Sequence, residues 1–267
     1  MLTAAQRDDF DRTGLLRLDG AIPRADVAVM CDRIWAHVGA EHGMARSDPA
    51  TWVIEERMAG LRTVAGRREF ERIGSPAVRA ALDGLMGAWT EPAKWGALLV
   101  TFPLRNETVW DVPSIVWHND FVPFEAASGL RAVQLFVLLD DVRPRGGATL
   151  VLTGSHRLVS RYADPAEDGP HPKRLRRELG AAHPWLAELW SGDGGGDRIQ
   201  RYMVDGFEVD GVPLRVVELS GRAGDVFFMH CDTFHTAAPN CLDQPRMMAT
   251  NIIRLEQGSR RTAGASA

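Results

Sequence analysis

The sequence predicts a mainly β protein with flanking helices, its core a sandwich, barrel or jelly roll. Three observations carry this. From about Lys94 onward the chain breaks into short apolar runs rich in β-branched and aromatic residues. Turn residues separate those runs, among them Pro144-Arg145-Gly146-Gly147 and the stretch from Gly221 to Asp225. The first quarter instead carries apolar residues at helical spacing. Many short strands joined by Gly/Pro turns are the pattern of closed or doubled antiparallel sheets.

The elements follow in order. Leu2 to Gln6 reads as a staple plus capping box, with Thr3 as N-cap and Gln6 reaching back. Gly14 ends that helix. Residues 15–18 form a short strand. Pro23 opens a second helix, whose Val27, Met30, Cys31, Ile34, Trp35 and Val38 make one buried face. A third helical stretch covers residues 76–89. Strands are expected at 97–102, 114–121, 132–139, 149–152, 214–219, 226–229 and 247–255. Residues 164–172 are polar and proline-rich, hence a loop. Residues 184–190 form a short helix with Leu186, Leu189 and Trp190 on one face. This gives one domain over 1–256: a helical part over about 1–93 and a β core over about 94–256. An insertion at about 158–212 is either a lid or a surface loop. Residues 257–267 form a flexible tail.

Composition excludes several classes. The chain has 267 residues and a net charge of −4, which gives a nucleic-acid partner no electrostatic support. No apolar run approaches the ~20 residues of a membrane helix. The N-terminal MLTAAQRDDF lacks the basic and apolar blocks of a signal peptide. Cys31, Cys231 and Cys241 form no paired framework, which suits a reducing cytoplasm. Oligomeric state is not readable.

The sharpest local feature is Trp117-His118-Asn119-Asp120. Residues i and i+2 of a strand share a face, so His118 and Asp120 converge. One imidazole and one carboxylate on neighbouring inward positions fill two coordination sites. A second histidine completes a 2-His-1-carboxylate set with open positions. Both His230 and His235 follow the turn at Gly224-Asp225.

Here the sequence resembles the phytanoyl-CoA dioxygenase family of Fe(II)/2-oxoglutarate oxygenases, over about residues 1–256. The family's WHxD matches Trp117 to Asp120. Its LDD, GG and GSH elements match Leu139-Asp140-Asp141, Gly146-Gly147 and Gly154-Ser155-His156. Its GD turn, distal histidine, Asn and cosubstrate arginine match Gly224-Asp225, His235, Asn240 and Arg246. Two positions depart from the pattern: Thr153 stands where proline is common, and Ala237 where serine is common. The second bears on one cosubstrate hydrogen bond, not on the metal.

The resemblance implies a double-stranded β-helix (jelly-roll, cupin-like) core. It implies Fe(II) held by His118, Asp120 and His235, with 2-oxoglutarate and O2 as cosubstrates. Arg246 would pair with the distal carboxylate of 2-oxoglutarate, its planar fork matching a carboxylate. Gln134, on one face with Phe136 and Leu138, would donate to the same cosubstrate. The implied reaction is hydroxylation or another oxidation of a small organic molecule, releasing succinate and CO2. Asp120 argues against the related halogenases, in which Gly or Ala replaces the carboxylate. The rival from another class is a non-redox cupin-like metalloprotein, an isomerase or small-molecule-binding module, which does not need Arg246.

The remaining candidates have plainer readings. His230 is expected to be structural, and His156 to bond the turn at Gly154-Ser155. His37, His42, His171 and His183 read as surface or loop residues. Cys231 and Cys241 read as packing residues, and the basic run Lys173 to Arg177 as a solvated helix face. Trp110, Phe121 and Phe124 flank the metal motif as pocket or packing residues.

Overall fold

The computed structural model describes residues 1–52, 58–104, 109–120, 129–162, 172–192 and 195–256. Four helices interleave with the first strand: α1 (Ala4–Thr13), β1 (Leu15–Leu18), α2 (Arg24–His42), α3 (Leu61–Val64) and α4 (Pro76–Met86). The core follows with β2 (Ala97–Thr101), β3 (Ala132–Leu138) and β4 (Thr149–Thr153). Three helices interrupt it: α5 (Ser155–Tyr162), α6 (Pro172–Ala182) and α7 (Pro184–Ser191). It closes with β5 (Phe207–Val209), β6 (Val212–Glu218), β7 (Val226–His230), β8 (His235–Ala237) and β9 (Arg246–Arg254).

Helix α1 begins at the expected capping box. Thr3 Oγ1 accepts the Gln6 N–H at 3.2 Å, and Gln6 Oε1 accepts the Thr3 N–H at 2.9 Å. It ends at Gly14, with φ 73°. A Cβ there would stand 2.5 Å from His156 Nδ1, so both conformation and space require glycine.

Two antiparallel sheets form the double-stranded β-helix. The larger has the order β1-β7-β3-β9-β2, the smaller β5-β6-β4-β8. Alternation along each strand divides the core into layers. On β3, Val133, Leu135 and Val137 meet the N-terminal helices, while Phe136 and Leu138 face inward with Phe227, Met229 and Met248. On the smaller sheet, Leu150, Leu152, Leu214 and Val216 face outward.

The described helices of the insertion cover that outward face, with Leu158, Leu175, Leu179, Leu186 and Leu189 buried there. A fully buried side chain of this size contributes roughly 1.5–3 kcal/mol. Arg198 reinforces the layer: its guanidinium donates to the carbonyls of Val112, Pro113, Glu188 and Leu189. It thereby ties α7 to the run leading into the metal motif.

Several expectations are corrected. Residues 114–120 form no regular strand; they make one isolated bridge, His118 with His235. Pro113 lacks an N–H, and Val116, at φ 61°, breaks the extended run. The short strands β5 and β8 and the helix α5 carried no separate signal. His156 bonds the carbonyl of Asp11 in α1, at 3.1 Å, rather than the turn beside it. The basic run lies on α6, with Lys173, Arg174 and Arg177 exposed. Arg176, however, turns in to donate to the Trp117 carbonyl at 2.9 Å. The expectations at Phe121, Phe124, 164–171 with His171, 193–194 within the insertion, and 257–267 lie outside the described residues. No helix among the described residues is long and apolar enough to cross a membrane.

Candidate metal centre

His118 and Asp120, from the irregular run before residue 121, meet His235 at the start of β8. Paired backbone bonds join the two histidines: His118 N–H to His235 O at 3.1 Å, and His235 N–H to His118 O at 2.8 Å. Trp117 and Asn119 are buried. Alternation sends His118 and Asp120 the other way. One ligand atom from each of the three lies within 4.8 Å of the others. The imidazole centroids are 4.3 Å apart, and Asp120 Oδ2 is 3.8 Å from His235 Nε2.

Both rings are held through Nδ1. His118 Nδ1 lies 2.8 Å from the Val116 carbonyl, and His235 Nδ1 lies 3.1 Å from the Thr233 carbonyl. A carbonyl only accepts, so Nδ1 carries a proton in each ring, which leaves Nε2 as the nitrogen that can offer a lone pair. Burial, then the neighbouring His118, pushes the His235 pKa down to about 3, so its ring is neutral. Burial raises the Asp120 carboxyl above its usual range, against the pull of His118. Asp120 Oδ2 is buried with no hydrogen-bond partner among the described residues. An orphaned carboxylate oxygen facing free imidazole nitrogens is costly unless a cation joins them. Two ligand bonds of about 2.1 Å span up to about 4.2 Å, so the 3.8 Å separation already suits one ion.

His230, Cys231 and Asp232 also cluster within 4.8 Å. That group does not suit a cation. Asp232 is ion-paired with buried Arg131, and His230 Nδ1 accepts the Asp232 N–H at 3.2 Å.

Arg246 begins β9 beside Thr101 of β2, its register partner. It is 6% exposed. One Nη donates to Thr101 Oγ1, and the other lies 3.6 Å from Met248 Sδ. Nε has no partner. Burial pulls its pKa down to about 10, which leaves it charged at neutral pH. Among the described residues it has no carboxylate partner. Gln134 is buried, on the same inner face as Phe136, whose ring stands 6.0 Å from that of His235. Its Nε2 donates to Thr250 Oγ1 at 3.2 Å and its Oε1 has no partner.

A model of the phytanoyl-CoA dioxygenase (PhyH) family matches residues 10–248. The chain belongs to the phytanoyl-CoA dioxygenase family. Its curated relatives include an ectoine dioxygenase of Bordetella parapertussis, 26% identical over 134 residues. That match covers 49% of this chain and 37% of the relative. An ectoine dioxygenase of Nocardia farcinica is 28% identical over 135 residues, covering 49% and 38%. The matched stretch is thus well under half of each relative's length. Among solved structures, the epimerase SnoN with Fe3+, alpha ketoglutarate and nogalamycin RO has TM-score 0.55 and 22% identity, covering 94% of this chain and 82% of that one. HygX from Streptomyces hygroscopicus, with nickel and 2-oxoglutarate, has TM-score 0.54 and 16% identity, covering 95% and 87%. These likenesses identify the double-stranded β-helix fold of this family member.

Sequence reasoning missed two residues near this centre. Thr101 reads as an ordinary strand residue until its register against Arg246 is known. Ser155 stands within the Gly-Ser-His match, but its partner lies on a distant turn.

Proposed function

We propose that this chain is an Fe(II)- and 2-oxoglutarate-dependent dioxygenase that oxidises a small organic molecule, releasing succinate and CO2. The observation that carries the reading is the convergence within 4.8 Å of one ligand atom from each of His118, Asp120 and His235, with Asp120 Oδ2 orphaned among the described residues. His118, Asp120 and His235 are the proposed ligands, a set that leaves positions for cosubstrate and oxygen. Bound iron supplies the redox chemistry that couples decarboxylation of 2-oxoglutarate by O2 to oxidation of the substrate.

The chain's own residues do the rest. The Nδ1 bonds to Val116 and Thr233 aim both imidazoles. Arg246 and the Thr101 hydroxyl receive the distal carboxylate of 2-oxoglutarate. The unpartnered Nε of a buried guanidinium supports this, because such a cation calls for an anion. A non-redox metalloprotein on the same barrel has no use for it. Gln134 offers amide atoms to the cosubstrate from the same inner face, and Phe136 keeps water from one side of His235. The relatives' name, ectoine dioxygenase, supports a small-molecule substrate.

The test is 2-oxoglutarate consumption and succinate formation by purified protein, with and without Fe(II). Activity dependent on Fe(II) and lost in His235→Ala supports the reading. Absence of iron binding overturns it.

A further inference from the structure

Groups that hold a ligand ring set metal affinity as well as the ligands themselves. For His235 the holding group is one peptide unit. Its carbonyl, that of Thr233, accepts from His235 Nδ1 at 3.1 Å. Its N–H, that of Phe234, donates to Ser155 Oγ at 2.9 Å. Ser155 Oγ donates in turn to the Leu152 carbonyl at 2.7 Å. The Leu152 N–H donates back to the Phe234 carbonyl at 2.8 Å. Ser155 is 0% exposed, so water does not compete for these bonds.

We propose that Ser155 is a positioning residue for the metal centre, its hydroxyl fixing the Thr233–Phe234 peptide and through it the His235 ring. The inference rests on the proposed metal site. Remove the hydroxyl and a buried N–H loses its acceptor. The peptide then turns to find another, and the Thr233 carbonyl leaves Nδ1. Without that acceptor His235 is free to carry its proton on Nε2, the nitrogen that faces Asp120, which takes the lone pair away from the other ligands. Among the described residues the other histidine has no such brace. His118 leans on the carbonyl of Val116, which is 64% exposed.

The test compares Co(II) binding by apo wild type, Ser155→Ala, Ser155→Thr and Val216→Ala, read by titration and by the visible spectrum of bound Co(II). Val216→Ala opens the same outer cluster, opposite Leu152, but removes no hydrogen-bonding group of the turn. Ser155→Ala should weaken Co(II) binding by about 10–100-fold and alter the band shape, as loss of a ligand's support does. Ser155→Thr keeps the oxygen and should restore both, and Val216→Ala should leave both unchanged. If Ser155→Ala does not fold, Ser155→Cys, near in size but a poor acceptor, takes its place with the same expected loss. Wild-type affinity in that variant, or equal loss in Val216→Ala, overturns the role. Unchanged binding in His235→Ala refutes the site itself. Lost binding there with unchanged binding in Ser155→Ala refutes only the role of Ser155.

Discussion

Replacing Arg246 with methionine should change the protein's stability in opposite directions with and without cosubstrate. The guanidinium is 6% exposed, touches Thr101 Oγ1 and Met248 Sδ, and leaves Nε unpaired. A desolvated cation without a counter-ion opposes folding. Methionine removes the charge and keeps most of the volume, so the apo protein should melt at a higher temperature. With 2-oxoglutarate the sign reverses. Losing one partner of a desolvated charge pair costs on the order of 2–5 kcal/mol, and each 1.4 kcal/mol is tenfold, so the dissociation constant should rise roughly 30-fold or more. At about 100 times the dissociation constant a ligand stabilises by about 2.7 kcal/mol, which for a chain of this size raises the melting temperature by about 5–10 °C. Wild type should show that rise in anaerobic melts with Fe(II), and the methionine variant no more than about a third of it. A variant that 2-oxoglutarate stabilises as well as it does wild type would refute the argument.

Four further outcomes are expected. His230→Ala should keep most Fe(II) binding while His235→Ala abolishes it, as read by metal analysis after desalting. Turnover in excess chloride should yield an oxygenated or desaturated product by mass spectrometry, because in the proposed ligand set Asp120 holds the position chloride would need; a chlorinated main product contradicts this. Val116→Gly should leave the apo melting temperature equal or higher, because relief of left-handed strain, about 1–2 kcal/mol, exceeds the entropy cost of glycine, about 0.5–1 kcal/mol. The same variant should bind Co(II) more weakly, because the carbonyl holding His118 is loosened. Apo stability should fall as pH drops below about 6.5, where unfolded histidines take up protons, because burial holds His156, His230 and His235 down to about 3 in the folded state. His156→Gln should remove one of these three groups from the slope of denaturant-derived stability against pH, about 1.36 kcal/mol per pH unit; an unchanged slope contradicts it.

Elements with a strong local signal are legible without the structure. The capping box at Thr3 and Gln6 and the apolar face of α2 are properties of neighbouring residues. So are the long strands β3 and β9. The three-residue strand β8 is not, because its pairing of His235 with Val151 is a contact between distant segments. The covering of Leu150 and Leu152 by α5, α6 and α7 is likewise a long-range choice. Periodicity says that α7 has an apolar face but not which surface receives it.

The centre divides in the same way. His118 and Asp120 share a face although no regular strand runs through them, because alternation needs only two or three extended residues. Their convergence is therefore legible. What orients the ligands is less so, for a geometric reason. The side chains beside a strand residue point to the opposite face, so His235 gets no help from Phe234 or Thr236. Its support must come from the backbone two residues earlier, or from another element. Here it comes from both: the Thr233 carbonyl, braced by Ser155, whose bond to Phe234 spans 79 positions. Arg246 and Thr101 meet across 145. A residue type announces what chemistry a site can do, whereas the contact that aims it depends on strand register, which appears only when the sheet is assembled.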